Sequence, residues 1–161
     1  MLQNPSPDTR SWIQTATILL VAVLLVASGA HLFSLGSKMR LSPQDYMVAQ
    51  RAYDGWALFA IPILAALLLT LWHSYLVRND QTAALLSLAA FLCLVATQVI
   101  FWTFTYPMNA ASRNWTVMPE NFEAARRQWE YSHAASAVLN FAALATVTFA
   151  AVRGARRARG H

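Results

Sequence analysis

The sequence predicts an all-α fold, an integral membrane bundle of four helices that run alternately up and down. Two observations support this prediction. Hydrophobic residues make up 57% of the chain and charged residues only 12%, whereas a soluble domain carries about 25% charged residues. In addition, four long segments contain no Asp, Glu, Lys or Arg over about the 20 residues that a helix needs to cross a bilayer. These segments use more than half of the chain, so we expect residues 1–161 to form a single membrane domain.

The four uncharged segments give the expected membrane helices. They cover residues 13–35, 56–77, 82–106 and 131–152. We expect the helix of the last segment to begin earlier, at the membrane surface near Glu123. A cleaved signal peptide is the alternative for the first segment, because Arg10 precedes it and small residues follow at 27–30. Its apolar run is long for a signal peptide, which favours a retained helix.

The connections are predicted to place two polar loops, 36–55 and 107–130, on the same membrane face. A short helix is expected to begin at Pro43, because Ser-Pro-Gln-Asp supplies an N-cap residue and a proline at the first helical position. The very short turn at 78–80 requires the second and third membrane helices to be antiparallel neighbours. Pro62 removes a backbone hydrogen bond and predicts a kink in the second membrane helix.

The charge distribution predicts the orientation. The chain carries 12 Lys and Arg against 7 Asp and Glu, and four arginines lie in the last nine residues: Arg153, Arg156, Arg157 and Arg159. A basic cluster next to an apolar helix is typical of a contact with lipid headgroups, and it favours a cytoplasmic location for both termini in the cell membrane. We therefore expect the bilayer to be a partner and nucleic acid not to be one. Cys93 lies in an apolar run, which indicates a packing role.

The unusual polar and aromatic residues gather where four helix ends are expected to meet. The first two helices contribute Ser28, His31, Arg51, Tyr53, Asp54 and Trp56, and the third contributes Gln98, Trp102, Tyr106 and Asn109. The fourth carries a stripe on one helical face, since Arg126, Glu130, His133, Ser136 and Asn140 are spaced by three or four residues. Polar side chains at membrane depth usually face the bundle interior or a cavity. We therefore predict a pocket lined by His31, Gln98, His133 and Asn140.

Other interpretations of these residues remain open. His31 by itself is also consistent with an interfacial histidine bonded to a backbone carbonyl. The tryptophans Trp56, Trp102 and Trp129 fit an aromatic belt at the membrane surface at least as well as pocket walls. A metal site, or haem between His31 and His133, is conceivable, but no acid or cysteine completes a recognisable set of ligands at helical spacing. His73 and His161 are expected to lie away from the cluster.

Two stretches of the sequence resemble a known family. The first half contains His31-Leu32, Lys38-Met39, Gln50, Tyr53 and Gly55-Trp56. The second half contains Phe101-Trp102-Thr103-Phe104-Thr105-Tyr106-Pro107, Asn109, Asn114-Trp115 and Arg127-Gln128-Trp129-Glu130-Tyr131-Ser132-His133-Ala134. Together they resemble the DUF1772 family of small membrane proteins, which includes the anthrone oxygenases. The similarity extends over roughly residues 28–140.

The resemblance implies a four-helix membrane protein. For the anthrone oxygenase branch, it implies oxidation of a polycyclic anthrone to a quinone without a cofactor. The Pro-x-Asn and Trp-x-x-x-His elements of the family correspond to Pro107 with Asn109 and to Trp129 with His133.

Such a reaction needs a base that removes a carbon-bound proton, and donors that hold the resulting enolate. His133 is the candidate base, with His31 second. Asn109, Asn140 and Gln98 are candidates for holding the oxyanion, and Arg126 for offsetting its charge. Apolar walls with Trp56, Trp102 or Trp129 would accommodate a small, flat, lipophilic aromatic ligand. The alternative is a non-catalytic membrane protein, either a lipophilic-ligand binder or an accessory subunit whose polar stripe holds helices together.

Overall fold

The structure is a computed structural model that describes residues 7–159 of the chain, with the side chains of residues 8–155. Its helices are α1 (Pro7–Lys38), α2 (Pro43–Gln50), α3 (Ala60–Leu76), α4 (Gln81–Ile100), α5 (Tyr106–Ala111) and α6 (Phe122–Arg159). Short 3₁₀ turns cover Arg51–Tyr53 and Trp56–Phe59, and a π-helical segment covers Phe101–Thr105. The described part of the chain has no strand, so the all-α prediction is confirmed.

Four helical stretches are long and apolar enough to cross a membrane. They are Asp8–Lys38, Trp56–Leu76, Gln81–Ala111 and Phe122–Ala155. The first and last stretches are longer than the predicted segments 13–35 and 131–152, because the helices continue past the charged residues that bound those segments. Much of the predicted loop 107–130 is therefore helical, and only residues 112–121 connect α5 to α6. The start of α6 at Phe122 confirms the predicted early beginning of the last helix.

Local sequence signals explain several helix boundaries. Ser42 caps α2 by accepting a hydrogen bond from the backbone N–H of Asp45, with Pro43 at the first position, as predicted. Asp80 caps α4 in the same way through the N–H of Ala83. Pro62 lies in the first turn of α3, where the backbone N–H groups lack helical partners in any case. The helical stretch changes from 3₁₀ to α geometry just before Pro62, and the kink itself stays a prediction.

The four long helices pack around a common apolar core. Helix α1 contacts α3 and α6, and α4 contacts the same two helices. The core between them consists of Val21, Leu24, Ala66, Ala90, Leu94, Ala143 and Val147, with Cys93 packed against it. Alanine at these contacts allows close approach of the helix backbones. A second cluster, formed by Tyr46, Trp115, Phe122, Ala125 and Trp129, joins α2 and the 112–121 connection to the start of α6.

Candidate functional site

A cavity of about 760 Å³ lies among the four long helices. Its walls include Leu24 of the apolar core and both Trp115 and Trp129 of the aromatic cluster. Its size falls in the range of about 300–1,000 Å³ that is typical of small-molecule sites. Eight of the nine candidate catalytic and binding residues line it: His31, Trp56, Gln98, Trp102, Asn109, Trp129, His133 and Asn140. The structure thus brings together the four predicted pocket residues and all three predicted aromatic walls.

The two histidines are direct neighbours in this cavity. The ring centroids of His31 and His133 are 4.2 Å apart. Trp129 contacts both rings, with centroid distances of 5.1 Å to His31 and 4.0 Å to His133. Tyr53 packs against His31 at 4.4 Å, and Trp56 packs against it edge-on at 5.7 Å. Aromatic rings from α6 and from the 3₁₀ turns before α3 therefore surround the two imidazoles.

Hydrogen bonds assign opposite tautomers to the two histidines. Nδ1 of His133 lies 2.9 Å from the backbone oxygen of Trp129, which only accepts, so Nδ1 carries the proton and Nε2 keeps its lone pair. Nδ1 of His31 lies 3.3 Å from the Lys38 ammonium, which only donates, so Nδ1 accepts and Nε2 carries the proton. The pair therefore offers one nitrogen acceptor and one N–H donor.

A buried ion pair next to the histidines is the main feature that the sequence did not predict. Lys38 Nζ lies 2.8 Å from Glu130 Oε1, and both side chains are almost fully buried. The ammonium also lies about 5 Å from the ring centroids of Tyr53 and Trp129. Sequence analysis placed Lys38 in a polar loop and Glu130 on the stripe of α6. Their pairing was not predictable because 92 residues separate them along the chain.

Tyr46 extends this network towards α2. Its phenol donates to Glu130 Oε1 over 2.9 Å and accepts a hydrogen bond from Gln50 Nε2. Burial, together with the neighbouring Glu130 carboxylate, raises the pKa of the Tyr46 phenol far above its usual value. The phenol therefore keeps its proton and remains a donor at physiological pH.

The structure separates Arg126 from the predicted site. Its guanidinium does not line the cavity but donates to Glu123 Oε2 over 2.6 Å and to the backbone oxygen of Leu41 over 2.9 Å. It also lies over the rings of Tyr46 and Phe122. The predicted role of Arg126 beside an oxyanion is therefore not supported, because Arg126 does not line the cavity and both terminal nitrogens of its guanidinium bond elsewhere.

The three predicted oxyanion donors differ in the polarity that they offer. Asn109 Oδ1 accepts from Trp129 Nε1 over 2.7 Å, which leaves its amide nitrogen as a donor. Asn140 and Gln98 instead use their amide nitrogens on the hydroxyls of Ser28 and Thr97. Each of these amide nitrogens uses one of its two hydrogens in this way, so one N–H remains on each. Of the three, Asn109 alone has an amide nitrogen that makes no hydrogen bond to a described residue.

The tryptophans also occupy different positions. Trp129 is only 4% exposed, so the belt interpretation is wrong for this residue. Trp102 is 61% exposed and lines the cavity as well, which places it at an edge of the site. Trp115 is a buried wall that the sequence did not predict. Three consecutive residues, Arg113 to Trp115, have positive φ, and this left-handed turn directs the chain so that Trp115 is buried.

The remaining predicted histidines do not join the site. His73 pairs through Nδ1 with the Ser87 hydroxyl at 2.9 Å, between α3 and α4, and it does not line the cavity. His161 lies outside the described residues. Within residues 7–159, no three His, Cys, Asp or Glu side chains form a group that would hold a metal ion.

Comparisons of this chain with known protein families, with curated proteins and with solved structures found no match.

Proposed function

We propose that this chain is an integral membrane protein that oxidises a flat, lipophilic aromatic substrate with O₂ and without a cofactor, in the manner of an anthrone oxygenase. The single observation that carries the proposal is the pair of histidines with opposite tautomers in an aromatic cavity. One supplies a base and the other a hydrogen-bond donor, which are the two groups that enolate formation requires. The resemblance to the DUF1772 family is consistent with this chemistry.

The reaction can be written with the residues of this chain alone. His133 Nε2 removes a proton from the methylene carbon of an anthrone. The enolate oxygen that results accepts hydrogen bonds from His31 Nε2 and from the amide nitrogen of Asn109. O₂ takes electrons from the enolate and bonds to the same carbon as a peroxide, which regains the proton from His133. Loss of the second methylene proton with O–O cleavage releases water and leaves the quinone carbonyl, so one O₂ is consumed per quinone.

Oxygen uptake tests this reaction directly. We expect purified protein in detergent micelles to consume O₂ with anthrone and to form the quinone in equal amounts, at the same rate with and without a chelator. Heat-denatured protein is the control, because anthrones also oxidise slowly by themselves. A rate equal to that of this control would refute the oxygenase, and chelator-sensitive turnover would replace the cofactor-free mechanism by a metal-dependent one.

Binding without catalysis is the second candidate function. Several polar side chains of the site are used to join helices, as in the 3.0 Å hydrogen bond from Asn140 of α6 to Ser28 of α1 and the Thr105–Ser132 pair. Such contacts stabilise membrane helix association by about 0.6 kcal/mol each. A lipophilic-ligand carrier or an accessory subunit would bind aromatic compounds in the same cavity without consuming O₂.

The exposed surface supports insertion in a membrane. Large apolar side chains on the outside of the long helices include Phe33, which is 90% exposed, together with Val26, Leu68, Val138 and Phe149. Water would make such a surface unfavourable, whereas lipid chains solvate it. We propose an up-down arrangement in the cell membrane, with residues 39–55 and 112–121 on the outer face.

The proposed orientation places both termini in the cytoplasm. It rests on the arginine-rich end of the chain, of which Arg156, Arg157 and Arg159 lie beyond the described side chains. We expect a reporter enzyme that is active only in the periplasm to give no signal when fused after His161, because positive flanks stay in the cytoplasm. The same reporter inserted within 112–121 should be active. The reverse pattern would invert the topology.

A further inference from the structure

The exposed residues of the cavity wall show where the cavity reaches the surface of the bundle. Within residues 8–155, α1 and α6 contribute lining residues that are buried or half-buried, such as His31 and His133. The exposed lining residues come instead from two segments, 54–64 and 102–114. The first contains the start of α3, and the second contains most of the π-helical segment and α5. The cavity therefore opens to the outside between these two segments.

The opening has a polar part and an apolar part. The exposed lining residues of the polar part belong to the connections before α3 and after α5, and they are Asp54, Gly55 and Asn114. The apolar part, which we call the lateral mouth, consists of Ala57, Ala60, Leu64, Trp102 and Tyr106. Leu64 is 59% exposed and Tyr106 is 47% exposed. The lateral mouth is thus a gap in the wall of the bundle that apolar and aromatic side chains surround.

The wall that α3 gives to the cavity is apolar from the lateral mouth inwards. Its lining residues share one face of the helix, and they are Ala60, Ile63, Leu64 and Leu67. Ile63 and Leu67 also pack against the apolar core of the bundle. The two histidines belong to other walls, since His31 is part of α1 and His133 is part of α6. The cavity therefore combines a hydrocarbon-like wall along α3 with polar and aromatic groups elsewhere.

The lateral mouth lies at the depth of the lipid chains in the proposed membrane arrangement. Leu64 is eight residues, or roughly 12 Å of helix, inside the apolar stretch Trp56–Leu76. The hydrocarbon layer of a bilayer is about 30 Å thick, so this level is well inside it. Leu68, one helical turn further along, is 60% exposed and does not line the cavity, so its side chain faces lipid. A hydrocarbon chain can therefore pass from the cavity into the bilayer at Leu64 without contacting water.

The opposite rim of the lateral mouth is the π-helical segment Phe101–Thr105. Such segments within α-helices often occur at functional sites. Two hydrogen bonds attach this segment to α6, one between the hydroxyls of Thr105 and Ser132 at 2.7 Å and one from Gln128 Nε2 to the backbone oxygen of Phe104 at 3.0 Å. Trp102 remains on the exposed side of the same segment. The α4 side of the mouth is therefore attached to α6, with the Trp102 ring at its rim.

We infer that the ligand of this cavity is an aromatic lipid, whose flat ring system lies beside the two histidines and whose hydrocarbon chain leaves through the lateral mouth into the bilayer. This inference deepens the proposed function and rests on it for the position of the ring. The lining residues on the α3 side extend from Trp56 to Leu67, which is eleven residues or roughly 16 Å of helix. That length exceeds two or three fused rings. Because lipid chains are as apolar as leucine, the hydrocarbon chain remains in a similar environment while the ring is bound.

Binding of two probes to the purified full chain in lipid nanodiscs tests the inference. The probes are naphthols that carry either a methyl group or a dodecyl chain at the same ring position, and empty nanodiscs give the partition of each probe into the lipid. With concentrations expressed as mole fractions in the lipid, we expect the two Kd values to agree within about threefold, because the chain stays in an apolar environment. A Kd at least about tenfold higher for the dodecyl probe, or no binding of that probe, would overturn the inference, since a closed cavity excludes the chain.

A matched pair of variants on α3 tests the path of the chain. Leu64→Trp fills the lateral mouth with a larger side chain, so the ratio of the dodecyl Kd to the methyl Kd should rise at least about tenfold. Leu68→Trp is the control, because Leu68 is as exposed as Leu64 but does not line the cavity, and the ratio should stay the same. An unchanged ratio in Leu64→Trp, or an equal rise in Leu68→Trp, would contradict a chain in the lateral mouth.

Neither probe has the methylene group between two rings that the anthrone oxidation requires, so this experiment and oxygen uptake fail independently. Exclusion of the dodecyl probe with intact oxygen uptake would refute only the inference. Similar binding of both probes without oxygen uptake would refute only the oxygenase. If Leu64→Trp does not fold, the comparison of the two probes on the unmodified chain still decides, and Ala60→Phe provides a second change at the same mouth.

Discussion

Replacing His133 by Gln is expected to lower kcat for anthrone oxidation by about 10² or more, with a smaller change in KM. Gln keeps a polar side chain of similar size, but its amide cannot take up a proton. The Nε2 lone pair of His133 is set by the bond from Nδ1 to the Trp129 backbone oxygen, and no other side chain in the cavity has a neutral nitrogen acceptor at the same place. Steady-state oxygen uptake over a range of anthrone concentrations measures both constants.

Two further substitutions make the His133 result specific. His73→Gln changes a buried histidine between α3 and α4 that does not line the cavity, so its turnover should match the unmodified chain. His31→Gln retains an N–H donor and should lose less activity than His133→Gln. Full activity in His133→Gln, or equal losses in His133→Gln and His73→Gln, would exclude His133 as the base.

Replacing Glu130 by Gln is expected to lower the free energy of unfolding by about 3–5 kcal/mol, since it leaves the Lys38 ammonium buried without its counter-charge. Gln still accepts the hydrogen bond from Tyr46, so the loss reports the charge rather than the shape of the side chain. Lys38 cannot reach water without rearrangement, because it is buried against Tyr53 and Trp129. Reversible denaturation with SDS in mixed micelles measures the change.

The exposed pair Arg51–Asp54 is the matched control for this ion pair. Its N–O distance of 2.9 Å is nearly the same as that of Lys38–Glu130, but its side chains are 59% and 53% exposed. Asp54→Asn should therefore cost at most about 1 kcal/mol. In the double variant Lys38→Met with Glu130→Gln, most of the lost stability should return, because no unpaired charge remains. Equal effects of Glu130→Gln and Asp54→Asn would show that burial does not govern this pair.

Hydrophobicity and local hydrogen bonding made much of the fold predictable. The uncharged segments located four helices because a long apolar run is stable as a helix without outside partners for its backbone. The N-cap of α2 at Ser42 and the early start of α6 at Phe122 were predicted from the residues next to these helix ends. The helix ends were less predictable, since Pro107 fits the first turn of α5 and helical structure continues to Ala111.

Helical spacing also indicated part of the candidate site. Residues three or four apart lie on one face, so His133 and Asn140 were expected to point in the same direction, and both line the cavity. The same rule misplaced Arg126, because a single face of a 38-residue helix extends far beyond one cavity. Helical periodicity predicts the direction in which a side chain points, but not its level along the helix axis relative to the neighbouring helices.

The sequence by itself determined that this chain is helical, that four segments are apolar enough to cross a membrane, and that its polar residues gather at the helix ends. Only the tertiary structure decided which polar atoms of different helices meet: Lys38 with Glu130, Tyr46 with Glu130, and Ser28 with Asn140. The physical reason is range. Helix formation and apolar burial depend on neighbours within a few residues, whereas a hydrogen bond between helices requires positions correct to a fraction of an ångström. The packing of distant segments sets those positions.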